Sequence, residues 1–193
     1  MSSVTNLLNN ELIIESVQCW VETFIVELNL CPFAKREIVK NRVRYVATDA
    51  DTEEQLLVAL ETELEFLSES TSTETTLLIH ANVLNDFYDY NQFLDIADGL
   101  LQEMNLVGVF QLASFHPQYQ FGGTEINDAE NYTNRSPYPI LHLLREDSLE
   151  QAIAEHTDVD QIPVRNIKLM KELGEDRLKL MINHCLEKPV PSK

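Results

Sequence analysis

The sequence predicts an α/β fold: a small mixed, mostly parallel four-stranded sheet packed by helices, with extra helices at both ends. Three observations carry this reading. Thr76–His80 is a short, continuously apolar run that reads as a strand covered on both faces, and Val107–Phe115 reads as a second buried strand. The segment between them, from about Asp86 to Met104, has helical periodicity, and strands joined by such crossovers favour a parallel arrangement with helices laid on the sheet. The chain of 193 residues is long enough for one filled core and short for two, and neither a repeat nor a linker divides it. One domain over 1–193 is therefore expected.

The elements follow in order. Ile13, Val17, Trp20, Phe24 and Leu28 form an apolar stripe that predicts a helix from about Glu11 to Leu28, with Asn10 as N-cap and Asn29 as stop. Cys19 falls on its other apolar side and is expected in the core. Pro32 suits a first helical turn, so a short helix should run from Pro32 to about Lys40, with Cys31 near its cap. Arg42–Thr48 alternates like a strand, with Val43, Tyr45 and Ala47 on one face. An acidic helix follows, capped by Asp49, Asp51 or Thr52 and reaching about Leu67 on a leucine stripe. The Ser/Thr/Glu-rich tract Ser68–Thr75 reads as a surface loop before the first buried strand. After the second buried strand and a long polar loop comes a strand over Ile140–Arg145, free to run antiparallel, then a helix from about Ser148 to Glu155. Two helices close the chain, about Val164–Leu173 and Glu175–Leu186, divided by Gly174; the tail Lys188–Lys193 is expected to be disordered.

Composition narrows the function classes. Hydrophobic content of 44% with 24% charged residues is ordinary for a soluble globular protein. No apolar run approaches the roughly eighteen residues of a membrane span, and the N-terminus lacks a basic and apolar leader. Three cysteines without a CxxC pair suggest free thiols in a reducing compartment, and so a cytoplasmic protein; they also exclude a cysteine-rich zinc site. A net charge of −18 argues against nucleic acid as a partner, because phosphate binding needs positive surface. No Lys or Arg falls between residues 46 and 134, so the basic residues lie in Lys35–Arg44 or from Arg135 onward. That leaves two readings: solvated acidic faces, or convergence of Lys35, Arg36, Arg135 and Arg145 on an anionic ligand.

The densest concentration of functional groups is Phe115–Glu146, which holds histidines, arginines, tyrosines, asparagines and prolines together. Long polar loops in compact domains are uncommon and usually functional or disordered. His80 and His116 each end a predicted buried strand, where α/β sheets collect ligands, and both are catalytic candidates. Capping of the strand ends is the competing role. Cys31, with Lys35 and Arg36 one turn away at a predicted helix start, is a candidate nucleophile against an inert half-buried thiol. Arg135, braced by Pro137 and Pro139, is placed to hold a carboxylate or phosphate, or else to pin the loop through Asp128 or Glu130. Arg145, Tyr119, Asn131, Asn134, Tyr138 and Lys35 complete the candidate binding set. His142 shares a strand face with Ile140 and Leu144 and is expected to be a core histidine, while His156 and His184 are expected at the surface. A metal site from His80, His116 and His142 with Glu125 or Asp128 has no local motif behind it. Serine-hydrolase elbow, phosphate loop and dinucleotide fingerprint are absent, and no cofactor is expected.

Several of these segments are familiar. Leu30-Cys31-Pro32-Phe33-Ala34, Phe115-His116-Pro117, the run Asn131–Pro139 and Leu141–Arg145 resemble an uncharacterised bacterial family catalogued as domain of unknown function 1415. The resemblance covers nearly the whole chain. It implies a bacterial cytoplasmic single-domain protein, and it carries no activity or catalytic residue with it.

The leading expectation is a small enzyme binding an anionic or carboxylated molecule. Arg135, with Arg145 or Lys35, would hold the anion; His116 would move a proton, and Cys31 would attack if it faces the same pocket. The alternatives are a non-catalytic ligand-binding or protein-interaction module and a metal-dependent hydrolase. The enzyme reading requires His116 and Arg135 to open into one concave pocket.

Overall fold

The computed structural model describes residues 2–155 and 157–187, so His156 and the tail from 188 to 193 lie outside the described residues. In chain order the elements are α1 (Ser2–Trp20), a π-helical continuation (Val21–Val26), α2 (Ala34–Val39), β1 (Val43–Ala47), α3 (Glu53–Glu69), β2 (Thr75–Ile79) and α4 (Phe87–Glu103). They continue with β3 (Phe110–Phe115), a 3₁₀ turn (Ala129–Thr133), β4 (Ile140–Arg145), α5 (Glu146–Glu155), α6 (Gln161–Leu173) and α7 (Glu175–Glu187). Local signals set most boundaries. Thr52 caps α3 by accepting from the Gln55 amide, and Asp86 caps α4 by accepting from the amides of Tyr88 and Asp89. Asn29 turns the chain with φ 54°, and Gly174 separates α6 from α7 with φ 76°.

The four strands stand in the order β1-β2-β4-β3. β1 and β2 pair in parallel, while β4 pairs antiparallel with both β2 and β3. The α/β class holds, but the expected predominance of parallel pairing does not. Only β4 reverses direction, yet it lies between the two strands it opposes, so one reversed strand makes two antiparallel ladders. Ile140–Leu144 is apolar at every place but His142, which suits a strand covered on both faces without setting its place in the order.

Each face of the sheet carries its own core. On one, α3 and α4 bring Leu56, Leu60, Leu64, Leu67, Phe93 and Ala97 against Leu78, Leu141 and Leu143. Each fully buried leucine contributes roughly 1.5–3 kcal/mol. The buried Glu63 of α3 meets Arg44 of β1 through a two-point ion pair, with Nε to Oε2 at 2.8 Å and Nη2 to Oε1 at 3.1 Å. On the other face, Ile13, Val17, Trp20 and Phe24 pack with Leu77, Ile79, Ile140, Met170 and Leu178.

The cysteines depart from expectation. Cys19 of α1 and Cys185 of α7 form a disulfide across 166 residues of sequence, with Cα atoms 5.5 Å apart, and only Cys31 is free. Helices at opposite ends of the chain lie side by side, and nothing local in the sequence shows that. Among the described residues no helix is long and apolar enough to cross a membrane.

Candidate functional site

The two strand-end histidines meet at one place. β2 and β3 run in the same direction and end at Ile79 and Phe115, so His80 and His116 arrive on either side of Tyr90, with ring centroids 5.7 and 5.1 Å away. Both are fully buried. His80 Nδ1 lies 3.0 Å from the Val83 carbonyl, so that nitrogen donates. His116 Nε2 donates to the Leu84 carbonyl at 3.1 Å, and its Nδ1 accepts from the Gln118 amide at 3.0 Å. The pair thereby holds the turn after β2, where Leu84 adopts φ 57°. Burial pushes His80 down to about 4 and lowers His116 as well, so both rings are neutral at pH 7. Neither lines the cavities described below.

The long loop is held by its own polar side chains. Asn131 is fully buried: its Oδ1 accepts from the Phe121 amide and the Thr124 hydroxyl, and its Nδ2 donates to Glu125 O at 2.8 Å. Asn134 donates to Ser114 O at 3.1 Å, fastening the loop to β3. Arg135 donates to the carbonyls of Tyr119 and Ile126 and lies over the Tyr132 ring at 4.5 Å, rather than pairing with Asp128 or Glu130. Tyr119 packs between Phe87 and Phe121, and Tyr138 packs against the core of the α1 face.

Of the catalytic and binding candidates, Cys31, Asn134 and Arg145 line one cavity, described below, and the others do not join them there. Arg145 gives Nη2 to the carbonyls of Leu67, Ser70 and Thr73, which ties β4 to the end of α3. Lys35 is exposed on α2. His116 and Arg135 do not open into one pocket, so the condition set for the His116-centred mechanism is not met.

A more apolar cavity lies elsewhere. About 890 Å³ opens on the sheet face that carries Thr75, Leu77, Ala113, Phe115, His142 and Leu144. Its other walls are Trp20 and the π-helical Val21 and Ile25, the 30–38 segment including Cys31, and residues of α5 and α6. π-helical turns widen a helix and recur beside functional sites. Asn166 of α6 donates to Leu30 O at 2.8 Å, which fixes the turn carrying Cys31. Room exists over the sheet because Ala113, a small residue, sits directly opposite His142 in the β3–β4 ladder.

Few polar groups interrupt this lining. The Thr75 hydroxyl donates to Leu143 O at 2.5 Å and so accepts from His142 Nε2 at 2.7 Å. That fixes the His142 tautomer and leaves Nδ1 as an acceptor without a partner among the described residues; burial pushes its pKa down to about 4. The Trp20 ring is 1% exposed, and its Nε1–H is a buried donor with no hydrogen-bond partner among the described residues. Charged lining residues are acidic on balance, Glu37, Glu74, Glu130 and Glu155 against Arg36 and Arg145. Burial works to raise Glu37, but Arg36 and Arg42 outweigh it and hold the carboxyl below its ordinary value.

Trp20 was legible only as a core residue and His142 chiefly as one, apart from its place in the metal set, because each falls on an apolar stripe. The walls come from many separated stretches of chain between Trp20 and Ile167, so no motif could have drawn them together. A second, smaller cleft of about 320 Å³ lies between Arg135 and α7. Among the described residues, no three His, Cys, Asp or Glu side chains gather to hold a metal ion. No curated protein and no solved structure matches the chain. A family model described as a protein of unknown function, DUF1415, matches residues 12–180.

Proposed function

The chain belongs to the DUF1415 family, whose description assigns no activity, and from its geometry we propose that it binds a small, mainly apolar molecule in the sheet-face cavity. The carrying observation is a cavity of about 890 Å³, within the range typical of small-molecule sites, walled mainly by apolar side chains, Trp20 among them. His142 Nδ1 would accept from a ligand hydroxyl or amide. The lining carboxylates are already ion-paired, Glu37 and Glu155 with Arg36, Glu74 with Arg42 and Glu130 with Lys171, so the cavity favours an uncharged ligand.

Trp20 is the only tryptophan, so it reports on the cavity directly. Titration with the neutral dye Nile red should change Trp20 emission saturably. Ala113→Phe, which fills the space beside His142, should abolish that change while circular dichroism stays native. Unchanged Trp20 emission in the wild type, or equal binding by Ala113→Phe, defeats the proposal.

One observation favours a catalytic version: Cys31, the free thiol, lines the same cavity. In that reading the thiol acts on the bound molecule. Iodoacetamide should then alkylate Cys31 faster than a free cysteine, and bound Nile red should protect it. A rate equal to that of free cysteine leaves the binding reading alone.

A further inference from the structure

The smaller cleft has the opposite electrostatic character. It lies between the Tyr132–Pro137 segment and α7, and its lining contains two cations, Arg135 and Lys179, and no carboxylate. In a chain of net charge −18 such a lining is unusual.

Arg135 is the stronger half of the argument. It is 7% exposed, yet its guanidinium meets no Asp or Glu within ion-pairing distance among the described residues. The group carries five N–H donors and cannot shed its charge in a protein. Nε and Nη2 are given to the carbonyls of Tyr119 and Ile126, and the face rests on Tyr132; Nη1 has no protein partner among the described residues. A buried cation balanced only by carbonyls and a ring is electrostatically incomplete, because removing charge from water costs several kcal/mol.

Lys179 supplies the second contact from across the cleft. Its ammonium meets Glu175 at 2.6 Å on the same helix, and its side chain is 52% exposed, so it stands at the rim with donors to spare. α7, which carries Lys179 and Asn183, is bonded to α1 through Cys185, which fixes this wall in place.

We propose that this cleft is a binding site for a small oxyanion, a carboxylate or phosphate group, taken between Arg135 Nη1 and Lys179. The site is separate from the sheet-face cavity and does not depend on what that cavity holds.

The whole protein would be titrated with inorganic phosphate in one arm and acetate in the other, against chloride at matched ionic strength. Melting temperature and the Arg135 Nε–Hε resonance would be followed. Either oxyanion should raise the melting temperature saturably and shift that resonance, and the stronger arm names the source. Lys179→Gln should weaken binding about tenfold, the loss of one charge-assisted contact, and Lys179→Glu should abolish it. Both variants change a rim side chain, so they should fold. Arg135→Lys, judged only if its circular dichroism is native, should also lose the response. Absence of any saturable effect beyond chloride, or an undiminished one in Lys179→Glu, overturns the proposal.

Discussion

Buried backbone needs hydrogen-bond partners, and in the 116–139 loop the side chains supply them. Asn131 satisfies three groups at once, including the amide of Phe121 and the carbonyl of Glu125. Asn131→Ala should therefore destabilise the protein by about 2–4 kcal/mol in urea unfolding and expose the loop to protease. Asn131→Asp keeps the two acceptor contacts but sets an unpaired carboxylate oxygen against the Glu125 carbonyl in a buried site, so it should cost at least as much. His80 is a separate case, since its ring is held neutral by burial. Its folded pKa of about 4 lies below the ordinary 6.5, so the unfolded chain takes up a proton that the folded one refuses between those values. Stability is then fully present above pH 6.5 and falls as pH drops toward 4, by on the order of 2–3 kcal/mol from this residue. His80→Asn, which keeps a donor near Val83 O, should flatten that part of the stability-against-pH curve. An equally steep curve in the variant would place the acid sensitivity elsewhere, with His142 the next residue to test.

At the scale of elements, patterns within one segment were readable and relations between segments were not. The helix starts at Thr52 and Asp86 rest on side chains accepting from neighbouring amides, and the turns at Asn29 and Gly174 on residues that tolerate positive φ, so the sequence displays them; the cap expected at Asn10 fails, because α1 begins at Ser2. The insertion of β4 between β2 and β3 depends on which ladder closes with which, and Ile140–Arg145 reads the same at an edge as at the centre. The partnership of α1 with α7 was hidden for the same reason, and three cysteines therefore read as free thiols. Reduction of Cys19–Cys185 should lower the unfolding free energy by about 2–5 kcal/mol, as expected for closing a long loop. Cys19→Ser should reproduce that loss and become insensitive to dithiothreitol. A melting temperature equal in oxidised and reduced protein would refute the tether.

Across the whole molecule, the two faces of the sheet are used differently. The α3–α4 side is filled by leucine and phenylalanine, whereas the α1–α6 side leaves the cavity over Ala113 and His142 open. A sequence reading located the strand ends and the loop that leaves them, because histidine, proline and asparagine are conspicuous there. It passed over Trp20 and His142, because an apolar stripe looks alike whether it meets a neighbouring helix or a space. Strand order has one more consequence, for biosynthesis. β4 is the last strand made and the central one placed, so a nascent chain that ends before Ile140 has β2 and β3 facing a gap on their inner edges. Until Arg145 clears the ribosome those two ladders stay unmade, and the inner edges of β2 and β3 are open to wrong pairing.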